Sequence, residues 1–184
     1  IEPKKNKTKL LKPNSSPFSR SYLVSFPSTF KVAVYIPNEV ENKEVFVKSI
    51  IFNYSKGSDK DEGNYIPFKV NIMTVDSLTK LPDKNLFLED LIVGKKQHQS
   101  HLKIDLKDQK TIIFPKNGLF ITVCLYTEKY YLDNEFSSRP FFGAVSEFQY
   151  LERFGKYNWE EPFYSVDKIQ CFDFGIEIEI LNNK

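Results

Sequence analysis

The stretch that decides the fold is FPKNGLFITVCLYT, residues Phe114–Thr127. It begins with a turn signal at Pro115–Gly118 and continues as an alternating strand pattern. One face of that strand carries Leu119, Ile121, Val123 and Leu125, and the other carries Phe120, Thr122, Cys124 and Tyr126. Because both faces are largely apolar, the pattern predicts a strand in the middle of a sheet, with a packed layer on each side.

Other segments with a strand pattern lie on both sides of this stretch. They are Phe30–Ile36, Val45–Tyr54, Phe68–Val75, Leu91–Val93, His101–Leu106, Thr111–Phe114 and Phe174–Ile180. No long helical period occurs, and Leu86–Leu91 could form one helical turn at most. About eight short strands separated by turn signals predict an all-β fold, an antiparallel β-sandwich of jelly-roll or galactose-binding-like type.

The chain divides into an arm and one domain. Residues 1–29 contain four prolines among many serines, which predicts a linker or an edge-covering N-terminal arm, with at most a short strand at Tyr22–Phe26. Residues 30–184 are predicted to form a single β-sandwich domain. We expect a monomer or a part of a multidomain chain.

Composition and charge limit the function classes. The 184 residues are 41% hydrophobic, enough for a packed core. The net charge is +2, but residues 1–12 alone carry five lysines and one glutamate, which leaves −2 for the rest. The body therefore has no basic surplus that would predict nucleic-acid binding, and the basic arm is interpreted as a solvated linker. No apolar run reaches the roughly 18 residues of a membrane span.

The two cysteines allow two interpretations. Cys124 lies inside a strand pattern, where a buried free thiol is the default. A disulfide with the distant Cys171 is the alternative.

Several strand and turn segments together carry a family resemblance. They are KVAVYIPN (Lys31–Asn38), VKSIIFNYSK (Val47–Lys56), PFKVNIMTVDSLTKLPDKNLFLEDLIV (Pro67–Val93), FPKNGLFITVCLY (Phe114–Tyr126) and FGIEIEI (Phe174–Ile180). In this order the chain resembles, over roughly residues 31–180, a module of exported Bacteroidetes-type bacterial proteins that often stands beside a carboxypeptidase-regulatory-like domain. The resemblance implies a jelly-roll-like sandwich in the periplasm, at the outer membrane surface or outside the cell. It implies no site residues.

The long connection before the last strand is rich in aromatic residues. Tyr126–Tyr164 holds 13 of the chain's 28 aromatic residues in 39 positions. Exposed rings on such a connection would bind sugar rings or peptide side chains. The alternative, which we favour, is that they pack the connection onto a sheet edge as a second small core. The candidate ligand-binding residues are Tyr130, Tyr131, Arg139, Tyr157 and Trp159.

Two glutamates on the last strand are the strongest catalytic candidates. Glu177 and Glu179 share a strand face, with Cβ atoms about 7 Å apart. That spacing is compatible with the paired carboxylates of a glycosidase. Alternating glutamates on an exposed strand are much commoner, and they also discourage edge pairing.

Signals for metals and cofactors are weak. The acidic loop Ser55–Asn64 does not meet the calcium-loop pattern, and His98 and His101 lack further ligands at zinc-site spacing. Nucleophile-elbow, phosphate-loop and HExxH motifs do not occur in the sequence. We therefore expect no catalytic residues, no metal and no cofactor.

These observations favour a noncatalytic module of an exported envelope protein that mediates surface interaction or assembly. Its partner would be a glycan or another envelope protein. The alternative is a carbohydrate-binding module that uses the aromatic segment 126–164.

Overall fold

The computed structural model describes residues 6–12, 22–24, 26–40, 44–53, 66–95, 101–107, 111–136, 140, 142–146, 151–155, 158–160 and 170–181. The strands in these ranges are β1 (Lys7–Leu11), β2 (Tyr22–Val24), β3 (Phe30–Ile36), β4 (Val45–Asn53), β5 (Ile66–Val75), β6 (Pro82–Asn85), β7 (Leu91–Lys95), β8 (His101–Asp105), β9 (Ile112–Ile113), β10 (Leu119–Cys124), β11 (Phe142–Ser146), β12 (Leu151–Phe154), β13 (Gln170–Phe172) and β14 (Phe174–Ile180). One short helix, α1 (Glu128–Asp133), follows β10.

The strands form two large antiparallel sheets and a small one. The five-stranded sheet has the order β1-β14-β4-β8, with β9 also paired to β4. The six-stranded sheet has the order β12-β3-β10-β5-β6, with β7 also paired to β5. The small sheet has the order β13-β11-β2. Side chains from both large sheets share one hydrophobic core, so the prediction of an all-β sandwich is confirmed.

The decisive stretch lies where the sequence predicts it. Strand β10 pairs with β3 on one side and β5 on the other, so it is central in the six-stranded sheet. Leu119, Ile121 and Val123 are fully buried in the core, while Phe120 and Thr122 are buried on the opposite face. Burial of each such aliphatic or aromatic side chain contributes about 1.5–3 kcal/mol, which explains why an apolar pattern on both faces specifies a central strand.

The aromatic segment is more regular than the sequence predicts. Its pattern indicates irregular chain after Thr127, whereas the structure contains α1, β11 and β12 there. The Thr127 hydroxyl oxygen accepts a hydrogen bond from the Tyr130 backbone N–H at 3.2 Å and so caps the helix. A six-residue helix is too short to show an apolar period, which is why the sequence pattern does not reveal it.

The N-terminal arm contributes an unexpected strand. The sequence predicts at most a strand near Tyr22, yet Lys7–Leu11 also pairs with β14 along its whole length, from Lys7 opposite Ile180 to Leu11 opposite Ile176. Only Leu11 in this strand is buried, so the segment lacks an alternating apolar pattern. Its exposed lysines suit an edge strand, since they discourage pairing with another chain.

The turn before β10 depends on its glycine. The Gly118 N–H donates to the Pro115 carbonyl oxygen at 3.0 Å, and Gly118 has a φ of +77°. A Cβ added there would lie 2.5 Å from the Ile36 carbonyl oxygen and 2.8 Å from the Tyr35 ring. No real Cβ occupies such a position, so any side chain would force the turn away from β3.

Gly118→Ala is therefore expected to destabilise the protein by about 1–3 kcal/mol or more. An alanine there would adopt a strained left-handed conformation, and its Cβ would clash with the backbone. Urea unfolding monitored by circular dichroism measures the loss. Gly155→Ala is the matched control, since Gly155 also has a positive φ, +55°, but open space around it. Equal losses for the two variants would contradict the clash with Ile36.

Candidate functional site

The outer face of the six-stranded sheet, the face turned away from the shared core, holds the candidate site. On each strand its residues alternate with core residues. It comprises Lys31, Ala33 and Tyr35 of β3, Lys69, Asn71 and Met73 of β5, Phe120, Thr122 and Cys124 of β10, and Leu151 and Arg153 of β12. One end of this face is a groove and the other end carries a row of basic side chains.

The groove has a volume of about 430 Å³. It is lined by Tyr35, Val75, Lys80, Asn117, Phe120 and Leu151. Apolar side chains dominate this lining, with one amide and one ammonium group beside them. That combination is typical of sites that stack a flat ligand and fix its orientation with few polar contacts.

Tyr35 is the exposed aromatic residue of the groove. Its ring lies 5.3 Å from the Phe120 ring, tilted by 51°, and 39% of the residue is accessible to solvent. The Tyr35 hydroxyl donates to the Asn117 carbonyl oxygen at 2.9 Å, which fixes the ring over the Pro115–Gly118 turn. Partial burial raises the pKa of Tyr35 above its ordinary value, so the hydroxyl is neutral at pH 7.

Trp159 covers the middle of the outer face. It is buried and packs in a small second cluster with Ala33, Met73 and Phe120. The Arg153 guanidinium lies 5.0 Å from the centre of the Trp159 ring, within cation–π range. Trp159 therefore contacts a groove residue on one side and a basic residue on the other.

A row of cations crosses four adjacent strands at the far end of the outer face. Arg153 of β12 lies opposite Lys31 of β3, and Cys124 of β10 lies between Lys31 and Lys69 of β5. We call Arg153, Lys31 and Lys69 the basic row. Neighbouring strands are about 4.8 Å apart, so the two lysine Cα atoms that flank Cys124 are about 10 Å apart.

Asp90 is the carboxylate that the structure places against the basic row. Its Oδ1 lies 3.8 Å from Lys31 Nζ and accepts a hydrogen bond from Asn71 Nδ2 at 2.8 Å. Asn71 is fully buried and also bonds both backbone groups of Phe87. The Asn71 amide thus fastens the loop before β7 to the sheet and positions Asp90.

Cys124 is a free thiol, so the disulfide alternative is not realised. It is half-buried rather than buried. Burial raises the pKa of the Cys124 thiol, although the nearby Lys31 and Lys69 charges act in the opposite direction. The thiol is consequently neutral at pH 7 and adds no negative charge to the basic row.

The candidate aromatic residues fall at different depths. Tyr131 is buried in the main core, its hydroxyl donates to the Pro67 carbonyl oxygen at 2.8 Å, and burial raises its pKa to about 12. Tyr130 is partly buried and stacks on Tyr126 at 4.1 Å between ring centres. Trp159 is buried as described above, and Arg139 and Tyr157 lie outside the described residues.

Tyr126 connects this aromatic group to the basic row. The Lys69 ammonium lies 4.7 Å from the centre of the Tyr126 ring. Tyr130, Tyr126 and Lys69 therefore form a chain of contacts at one end of the row, as Trp159 and Arg153 do at the other. Two of the candidate residues, Tyr130 and Trp159, thus flank the same surface.

The paired glutamates of β14 lie on the outer face of the five-stranded sheet, far from this surface in the topology. Glu177 binds Lys103 and the Ser49 hydroxyl, and Glu179 binds Lys48 and Asn6. The hydrogen bond from Lys103 lowers the pKa of Glu177, and the hydrogen bond from Asn6 lowers that of Glu179. Both carboxylates are ionised at neutral pH, whereas a general acid needs a raised pKa.

In the part of the chain that the structure describes, no three His, Cys, Asp or Glu side chains are grouped so that they could hold a metal ion. The loop Ser55–Asn64 and His98 lie outside that part, and His101 is exposed at the start of β8. None of the described helices is long and apolar enough to cross a membrane.

The sequence does not reveal the groove or the basic row. Their residues come from segments separated by up to about 120 positions, and in each segment the outward polar or aromatic residues are few and form no motif. The alternation on β3, β5 and β10 identifies those outward positions. These residues become neighbours only through the register between paired strands. The alternation within one strand does not specify that register.

No protein-family model matches the chain, and no significant match occurs among the curated proteins or the solved structures. The function is accordingly proposed from the geometry of the outer face.

Proposed function

We propose that the protein is a noncatalytic binding module that takes a carbohydrate in the groove of its outer face. The single observation that carries this proposal is the exposed Tyr35 ring, held over the groove by its hydrogen bond to the Asn117 carbonyl and by Phe120 beside it. A rigid aromatic ring stacks on the apolar face of a sugar, and its fixed position avoids the entropy cost of ordering it on binding.

Polar groups at the groove support a sugar as its occupant. Asn117 and Lys80 line it together with the apolar side chains. Amide and ammonium groups can bond sugar hydroxyls around a stacked ring, which gives orientation and specificity. The sequence predicts the aromatic segment 126–164 as the carbohydrate-binding surface. That segment contributes Leu151 to the groove, and the other lining residues lie outside it.

A noncatalytic role is supported by the ion-paired state of Glu177 and Glu179. Their lowered pKa values suit charge pairs on a solvated strand. The resemblance of the strand segments to an exported module supports a place at the bacterial envelope. Contact with another envelope protein stays a prediction, and a binding screen that includes envelope extracts tests it directly.

Tyr35→Ala is expected to weaken binding of a neutral oligosaccharide, chosen from a glycan array, by about tenfold, because truncation removes the stacking ring. Isothermal titration calorimetry gives the dissociation constants. Tyr35→Phe keeps the ring and loses only its hydroxyl, so it should retain most of the affinity.

Leu132→Ala, at an exposed position on α1, is the control and should bind like the parent protein. Unchanged affinity in folded Tyr35→Ala would reject the groove as the sugar site. The oligosaccharide recovered after incubation should be intact, and new reducing ends would reject the noncatalytic role.

A further inference from the structure

Among the residues that the structure describes, the basic row carries more positive charge than the carboxylates beside it balance. Three cations face one carboxylate, that of Asp90, which leaves a local charge of +2. Lys69 and Arg153 form no ion pair among the described residues, and their charged groups lie against the rings of Tyr126 and Trp159. Aromatic rings attract cations but do not neutralise them.

This arrangement costs folding free energy. Like charges directly opposite on neighbouring strands repel, and Arg153 lies directly opposite Lys31. Burial increases the cost, because only 14% of the Lys31 side chain is accessible to solvent. Unbalanced charge that lowers stability in this way is expected at binding sites, where a protein retains it for its function.

The geometry of Arg153 also favours an anion. Its Nε is buried and has no hydrogen-bond partner in the described part of the chain. The Trp159 ring against the guanidinium limits the orientations of that planar group. A guanidinium held in one plane presents paired N–H donors that match the oxygens of a carboxylate, sulfate or phosphate group.

We propose that the basic row is a binding site for an oxyanion group, carried either by a free inorganic anion or by an acidic sugar. Lys31 and Lys69 would hold it from the two sides of Cys124, and Arg153 would orient it. The neutral Cys124 thiol leaves the space between the lysines without a competing negative charge. Tyr126 and Tyr130 border the site at the Lys69 end.

The oxyanion site and the groove adjoin on β12, where Leu151 and Arg153 are two residues apart, and they are well separated on β10. Phe120 in the groove and Cys124 in the basic row are four residues apart on β10, which is about 13 Å along an extended strand. Trp159 lies between them against Phe120. Substitution of Lys69 therefore tests the oxyanion site, and substitution of Tyr35 tests the groove, with the other residue left in place.

Trp159, the one tryptophan of the chain, provides an intrinsic probe because it stacks on Arg153. Its fluorescence is measured while sulfate, phosphate or glucuronate is added at constant ionic strength maintained with chloride. A saturable change is expected with at least one of these anions. The same anion should raise the melting temperature of the parent protein.

Lys69→Gln should weaken the response about tenfold, because it removes one charge-assisted contact. Lys84→Gln, which removes an exposed lysine of β6, is the control with the same charge change and should respond like the parent. Tyr35→Ala should also respond like the parent, because its site is the groove. Melting curves without anion establish that each variant is folded.

Tighter binding of glucuronate than of sulfate or phosphate identifies an acidic sugar, and the reverse order identifies a free inorganic anion; either supports the site. The proposal is overturned if no anion gives a saturable response. It is also overturned if Lys69→Gln responds like Lys84→Gln, or if Tyr35→Ala loses the response as Lys69→Gln does.

Discussion

Phe142→Ala is expected to lower the free energy of unfolding by about 3–5 kcal/mol, since it would leave a large cavity in a close-packed core. Phe142 is completely buried, although it comes from the aromatic segment and from the small sheet. Its ring lies within about 6 Å of five other rings. Those rings belong to Phe26, Phe52, Phe68, Phe172 and Phe174.

The physical reason for so large an effect is that Phe142 joins three sheets. Phe52 comes from the five-stranded sheet and Phe68 from the six-stranded sheet, and both pack edge-on or tilted against Phe142. Truncation removes contacts to both at once, and the backbones of paired strands cannot collapse to fill the space. The loss therefore includes a cavity term in addition to the transfer of the ring to water.

Urea unfolding measures the change, with the denaturant slope checked for constancy. Leu132→Ala is the surface control, and it should change the stability by less than about 0.5 kcal/mol, because Leu132 is 67% exposed. A loss below about 1 kcal/mol for Phe142→Ala would contradict its central packing. It would also show that the small sheet stands apart from the main core.

Lys12→Met is expected to destabilise the protein by about 3–5 kcal/mol, because it removes the ammonium group that lies against the buried Asp173 carboxylate. Lys12 Nζ lies 3.0 Å from Asp173 Oδ1, and the side chains are only 12% and 5% exposed. This pair ties the end of β1 to the residue between β13 and β14. The strand that the arm adds to the sheet is thereby attached by charge as well as by its backbone ladder.

The surface pair of Lys9 with Glu39 is the matched control. Its side chains are 47% and 51% exposed at an N–O distance of 3.3 Å, so Lys9→Met should cost at most about 1 kcal/mol. In a double-mutant cycle, Lys12→Met combined with Asp173→Asn should lose less than the sum of the single losses. Equal losses for Lys12→Met and Lys9→Met would show that burial does not strengthen the inner pair.

The sequence predicts the sandwich because its main strands alternate clearly. Phe174–Ile180 has the same bounds in the prediction and in the structure, and the apolar faces of Phe114–Thr127 correctly indicate a central strand. The buried faces of such strands are visible in the sequence, because apolar residues alternate within a single segment. The sequence does not predict strand β1, because its stability comes from pairing with β14 and from Lys12 and not from apolar residues of its own.

The candidate site was less predictable than the fold. The aromatic content of Tyr126–Tyr164 indicates Trp159 and Tyr130 as candidates, and both border the outer face. Lys31 and Lys69 carry no signal in their own segments, since an outward lysine on a strand is ordinarily solvated. Only the register through Cys124 makes them neighbours, and register is a property of three strands together.

The pairing of β1 with β14 has a mechanical consequence. Lys7 lies directly opposite Ile180 at one end of this ladder, and Leu11 lies opposite Ile176 at the other. A pulling force applied between residues 7 and 180 would act across the strands, along the hydrogen bonds of an antiparallel pair. The hydrogen bonds would then break one after another from the loaded end. Strand β1 would therefore detach at a lower force than if all the bonds were loaded in parallel along the strand direction.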